Sequence, residues 1–197
     1  MSTEAFPTAL PGDLRRADIR KTIAMLGAFC LFLSTLEYMI PKPLPFMRIG
    51  IANLPLMLAL DIFPFHVFLV LVAIKVLGQA LITGTLFSYI FLFSLTGTAL
   101  SAVSMYLLRR LLGPDRISFI GTGTAGAMIS NVTQLALAWI FIFRSNVRFI
   151  APPFLAAGVI TGIALGAFCE LFTRRSQWYA ARLHSTRLHR GGQGKAS

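Results

Sequence analysis

The middle of this 197-residue chain is nearly empty of charge. Of its 25 Lys, Arg, Asp and Glu residues, 13 lie in the first 21 and last 25 positions, leaving 12 for the 151 between. Soluble domains carry about 25% charged residues; here the figure is 13%. A water-facing surface cannot be built from so few, which excludes a soluble enzyme and a disordered basic protein. Cysteine is equally scarce. Cys30 and Cys169 both sit in apolar runs, so a disulfide-stapled module is excluded, and two cysteines make no zinc site by themselves. Of the three histidines, His66 follows Pro64 at the edge of an apolar run, and His184 and His189 lie in a basic tail. No Ser-His-Asp set, no Asp-Asp-x-x-Asp cluster and no Gly-x-x-x-x-Gly-Lys-Ser/Thr loop occurs. The chain is therefore expected not to be an enzyme, and to hold no metal and no cofactor. A cleavable signal peptide is not expected either, because the first apolar run is long and everything before it is polar.

What the chain has in abundance is apolar sequence, 56% of its residues. It falls into six runs: 22–40, ending at Pro41-Lys-Pro-Leu-Pro45; 49–63, short, with Pro55 inside; 65–82; 86–108, ending at Arg109-Arg110; 119–143; and 150–172, ending at Arg174-Arg175. Five reach the ~17–25 residues that a bilayer crossing needs. The second is too short for a straight lipid-facing helix but can cross if buried among the others and broken at Pro55. The expected fold is an all-α integral membrane protein, a six-transmembrane-helix bundle with a short, broken second helix. Residues 1–21 form a cytoplasmic segment, 22–175 the membrane domain, and 176–197 a basic tail. Within that tail, Trp178–Arg190 reads either as an interfacial helix on the headgroups or as a frayed basic end, with Gly191–Ser197 expected to be disordered.

The net charge of +11 is better explained by orientation than by nucleic acid. Six crossings put 13 basic residues on the side of the termini, in the tails and at Arg109, Arg110 and Arg116, and four (Lys42, Arg48, Arg144 and Arg148) opposite. The positive-inside rule then places both termini in the cytoplasm and the protein in the cell (inner) membrane.

Ionisable and amide side chains at membrane depth need a partner or a function. This topology brings Glu37, Arg48, Asn53, Lys75, Gln79, Asn131 and Gln134 between mid-depth and the outer face. Lys75 and Gln79 are four apart, and Asn131 and Gln134 three apart, so each pair shares a helix face. The set reads as an outward-opening solute pocket, with interhelical hydrogen bonding as the alternative and Lys75–Glu37 as a candidate ion pair. Arg48, Lys42 and Lys75 favour a substrate with some negative charge, with Glu37 placed to neutralise one of them. The stiff 41–46 stretch is placed to act as a lid, whereas Asp61 and Glu170 fall at the inner ends, within reach of water and headgroups. Ala24 and Ala28, Gly123 and Ala127, and Gly158, Gly162 and Gly166 have the small-xxx-small spacing of close helix contacts.

Arg48-Ile-Gly-Ile-Ala-Asn-Leu-Pro55, Phe87-Ser-Tyr with the small-residue run to Arg110, Gly126-Ala-Met-Ile-Ser-Asn-Val-Thr-Gln134 and Gly158-Val-Ile-Thr-Gly162 resemble the Gx transporter family, often labelled heptaprenyl diphosphate synthase component I. Ser130 stands where that family's pattern has a histidine. The family in turn is similar to the S components of energy-coupling factor (ECF) importers. The resemblance implies six helices, an outward pocket capped by the loop between helices one and two, and uptake of a small vitamin-like solute. It also implies docking through Ala24 and Ala28 to a transmembrane coupling subunit with ATPases. Small-molecule substrate and membrane lipid are thus the expected partners, with no nucleic acid. The alternative is a non-catalytic membrane component of a heptaprenyl diphosphate synthase, since the chain lacks the acidic clusters needed to hold magnesium diphosphate: only Asp61 and Asp115 lie in its membrane part.

Overall fold

The apolar runs fold as helices. A computed structural model describes residues 11–40, 50–114, 116–143 and 147–181, with side chains for 17–40, 50–114, 116–141 and 149–181. In order they are α1 (Pro11–Met39), a 3-10 turn (Ile51–Asn53), α2 (Leu54–Ala59), α3 (Phe65–Ile82), α4 (Tyr89–Leu112), α5 (Phe119–Ala138) and α6 (Val147–Arg175). No strand occurs among the described residues.

Five helices are long and apolar enough to cross a bilayer, and their outward faces are consistent with that solvent. Phe32 and Leu36 on α1, Leu77 and Leu81 on α3, Val132 on α5 and Ile160 and Leu171 on α6 are all exposed. An apolar exterior on this scale belongs against lipid rather than water. The chain is a multi-pass membrane protein.

Serines set where two of these helices start. Ser88 Oγ accepts from the Ile90 amide at 3.2 Å at the head of α4. Ser118 Oγ accepts from the Gly121 amide at 3.1 Å at the head of α5. Each satisfies an amide that a helix N-terminus otherwise leaves unbonded. Gly113, at φ 83°, terminates α4.

The second segment is shorter than the other crossings and differs from its expected form. Pro55 does not break a helix; it lies in the first turn of α2, where its missing N–H costs nothing. The irregular backbone comes before it, at Gly50 and the 3-10 turn. Every α2 residue is buried. This segment also connects the two ends of the bundle. Its start meets Glu37 near the end of α1. Beyond its end, Asp61 pairs with Arg109 in the last turn of α4. Phe65, which opens α3, packs its ring at a tilt against Tyr106 of that same α4 region, with centroids 5.1 Å apart.

Helices α5 and α6 approach through glycine. A Cβ on Gly166 would collide with the backbone of Ile120 and Phe119, and one on Gly162 with that of Thr124. The small-residue spacing in α6 therefore marks a real close contact. Other boundaries shifted. Helix α1 begins well before its apolar run, α5 ends in a π-helical turn (Trp139–Phe143), and α6 carries Pro152 and Pro153 inside its first turns.

Of the tail, residues 177–181 are helical, with Tyr179 buried and Trp178 packed against the hydrophobic core. The rest of the proposed interfacial helix, and the 41–46 lid with Lys42, lie outside the described residues.

Candidate functional site

Gly50 adopts φ 88°, a left-handed conformation that side-chain-bearing residues rarely take. That turn aims two successive chain segments at one carboxylate. Glu37 Oε1 accepts from the Gly50 amide at 3.1 Å and Oε2 from the Ala52 amide at 3.3 Å. A 2%-exposed carboxylate held by backbone amides is the arrangement expected where water is absent. One residue later, Asn53 Oδ1 accepts from the Lys75 ammonium at 2.5 Å. Lys75, in the middle of α3, is 3% exposed. Helices α1 and α3 thus clamp the irregular start of the second segment with one charge of each sign.

These groups line a cavity of about 30 Å³ together with Ser101, Ser130, Asn131 and Thr161. At ~10–15 Å³ per water, it has room for about two. The far wall spends its donors internally. The Ser101 hydroxyl donates to the Gly126 carbonyl at 2.8 Å, and that of Thr161 to Gly158 at 3.2 Å. Asn131 Nδ2 donates to the Phe154 carbonyl at 2.9 Å, reaching α6 across the gap left by Gly158. The lone pairs of the hydroxyls and the Asn131 carbonyl oxygen remain for an occupant.

Four of the seven anticipated site residues, Glu37, Asn53, Lys75 and Asn131, converge on this cavity. Gln79 and Gln134 are buried but do not line it. Gln134 Nε2 instead donates to Ser130 Oγ at 3.1 Å, and its Oε1 is buried without a hydrogen-bond partner. Arg48 lies outside the described residues. Ala24 and Ala28 are on the exposed face of α1. Asp61 is not left to water and headgroups, since Arg109 and Tyr179 bind it. Glu170 pairs with Arg174 at 2.8 Å through one oxygen, while the other is buried without a partner.

The hydroxyl wall was missed. Its signal was present in the α4 sequence, where Ser94, Thr98 and Ser101 recur at helical spacing and all prove buried. Cys30 and Cys169 are free and buried. Among the described residues, no three His, Cys, Asp or Glu side chains gather as a metal site would require.

The heptaprenyl diphosphate synthase component I family model matches residues 26–172, from α1 through α6 and across the whole cavity. The chain belongs to this family. No curated protein and no solved structure matches it. The family's name describes one component of a larger activity, and the component I match reaches every membrane helix of this chain.

Proposed function

We propose that this component I protein is a solute-binding membrane subunit that takes a small polar molecule from the outer face and works with an ATP-driven coupling module, as the S components it resembles do. The observation that carries this reading is the cavity, where a carboxylate, an ammonium, an amide and hydroxyls from separate elements face one buried space. Helix glue needs only pairs of such groups; a shared cavity is what binding needs. Glu37 and Lys75 supply one charge of each sign, so the favoured solute is net-neutral or zwitterionic, rather than the partly anionic one that basic residues alone favoured. Two waters' worth of space means that loading requires the outer ends of the helices to part.

In this reading the second segment counts as a sixth, interior crossing, because it links bundle ends that α1 and α3 leave on opposite sides. Both termini then face the cytoplasm, in the cell membrane. Ala24 and Ala28 would meet the coupling subunit. The chain would carry out no catalysis itself.

Native mass spectrometry of the purified full chain tests the site. A small polar molecule should be retained, and Lys75→Ala and Asn131→Ala should each lower its occupancy by about tenfold or more, the loss of a buried hydrogen bond to a charged or amide group. Unchanged occupancy in both would remove the cavity as the binding site. Ala24→Leu with Ala28→Leu should abolish co-purification of an ATPase pair without lowering thermal stability, since both positions are exposed.

The family's description supports a second reading, a non-catalytic membrane partner of a prenyl diphosphate synthase. Co-purification of a soluble prenyltransferase, with no ATPase, would favour it.

A further inference from the structure

The end of the bundle away from Glu37 is closed by a second polar cluster. Arg109 Nε and Nη2 donate to the two oxygens of Asp61 at 2.9 and 2.7 Å. Its Nη1 donates to the Ile117 carbonyl at 2.7 Å, and its guanidinium lies 3.9 Å above the Phe119 ring. The Tyr179 hydroxyl, 118 positions along the chain from Asp61, donates to Asp61 Oδ2 at 3.1 Å.

The location of this cluster is defined by three helices. Met105, Gly123 and Leu165 line the cavity. Arg109, Phe119 and Cys169 each lie four residues from one of them, in the direction of the same bundle end. Four residues are about one helical turn, roughly 6 Å. The cluster therefore sits one turn beyond the cavity floor.

Its members are unequal in strength. The two-point Asp61–Arg109 pair is charged, forked and largely buried, with side chains 13% and 8% exposed. The stretch 177–181, by contrast, follows a break at Ser176 and is far too short to hold helical structure alone. Its place depends on Trp178 and Tyr179 and on the Ser176 hydroxyl, which accepts from the Tyr179 amide at 3.3 Å. A segment with so few anchors opens locally long before the bundle unfolds.

We propose that Asp61, Arg109 and Tyr179 form a releasable latch: with 177–181 docked, the bundle is closed beneath the cavity, and undocking opens that end. A role for the latch in solute passage rests on the solute reading above, whereas the opening itself does not.

The chain carries its own reporters. Cys169 is 0% exposed at the level of Arg109 and Phe119, its thiol 3.9 Å from the Leu54 carbonyl. Cys30, also 0% exposed, lies on α1 and serves as the internal control. The full chain in liposomes is treated with N-ethylmaleimide, and both cysteines are followed by peptide-resolved mass spectrometry. Tyr179→Phe keeps the ring and removes only the hydrogen bond. It should speed Cys169 labelling about tenfold and leave Cys30 unchanged. Tyr179→Ala should speed it further. Cys169 rates unchanged in both variants would overturn the latch, as would Cys30 rising in step, which means general loosening. A chain that retains no small molecule in native mass spectrometry counts against the solute reading alone, because Cys169 labelling needs no ligand.

Discussion

At the scale of single residues, the same substitution has different consequences depending on what it meets. Gly158 leaves room for the Asn131 amide, whereas Gly166 leaves room for the backbone of α5. A side-chain amide can swing aside and a backbone cannot. Gly166→Ala is therefore expected to destabilise by about 2–3 kcal/mol, at the upper end of overpacking costs, and Gly158→Ala by less. Gly158→Ala should instead lower solute occupancy through the displaced Asn131. Thermal melts in detergent, read beside native mass spectra, separate the two effects. Tyr179 supplies a pH expectation. Burial is the main cause that pushes its phenol far above the ordinary tyrosine value, with the neighbouring Asp61 carboxylate adding to it. Its stabilising contribution is whole below about pH 10, where an unfolded tyrosine ionises, and fades as pH rises above that. The melting difference between the chain and Tyr179→Phe should thus be flat from about pH 6 to 9 and narrow only in stronger alkali.

At the scale of elements, the second segment carries the most consequence for its size. It is six helical residues and one 3-10 turn, yet its start meets Glu37 and Lys75, and the turn after it meets Arg109. That it is short and interior was legible from Gly50, Asn53 and Pro55 within an apolar run of limited length. That Pro55 starts the helix instead of breaking it was not, because a proline satisfies either role until the preceding backbone is known. Arg109 looked like one of many orienting charges beside Arg110. Only packing distinguishes them, since Arg110 is exposed and Arg109 is buried against Asp61. Arg109→Ala should therefore destabilise by about 3–5 kcal/mol, leaving a buried carboxylate without its partner, while Arg110→Ala should be nearly silent. Adding Asp61→Leu to Arg109→Met should recover most of the loss, which chemical denaturation in detergent would measure.

At the scale of the whole molecule, one loop reports the orientation. With the termini in the cytoplasm and the second segment crossing, the turn between α3 and α4 faces the outside and the turn between α4 and α5 faces the cytoplasm. With the termini outside, both are reversed. Phe87 is fully exposed, so Phe87→Cys in a chain with Cys30 and Cys169 replaced by alanine is a clean probe. A membrane-impermeant maleimide added to intact cells should label it at once. Labelling only after the cells are opened would overturn the cytoplasmic placement of the termini.

The membrane class, the helical architecture and the residues that need a partner at depth followed from composition and spacing. These depend on one-dimensional quantities: how much apolar sequence lies in a row, and which polar groups interrupt it. Which polar groups share a space is a three-dimensional fact. Gln79 and Gln134 have the same sequence credentials as Asn53 and Asn131, but helix rotation and the neighbouring glycines send only the second pair to the cavity. Likewise Tyr179 and Asp61, 118 positions apart, meet because α6 returns the chain to the end where the second segment finishes. Such a meeting has no local signal, since nothing near either residue specifies the other.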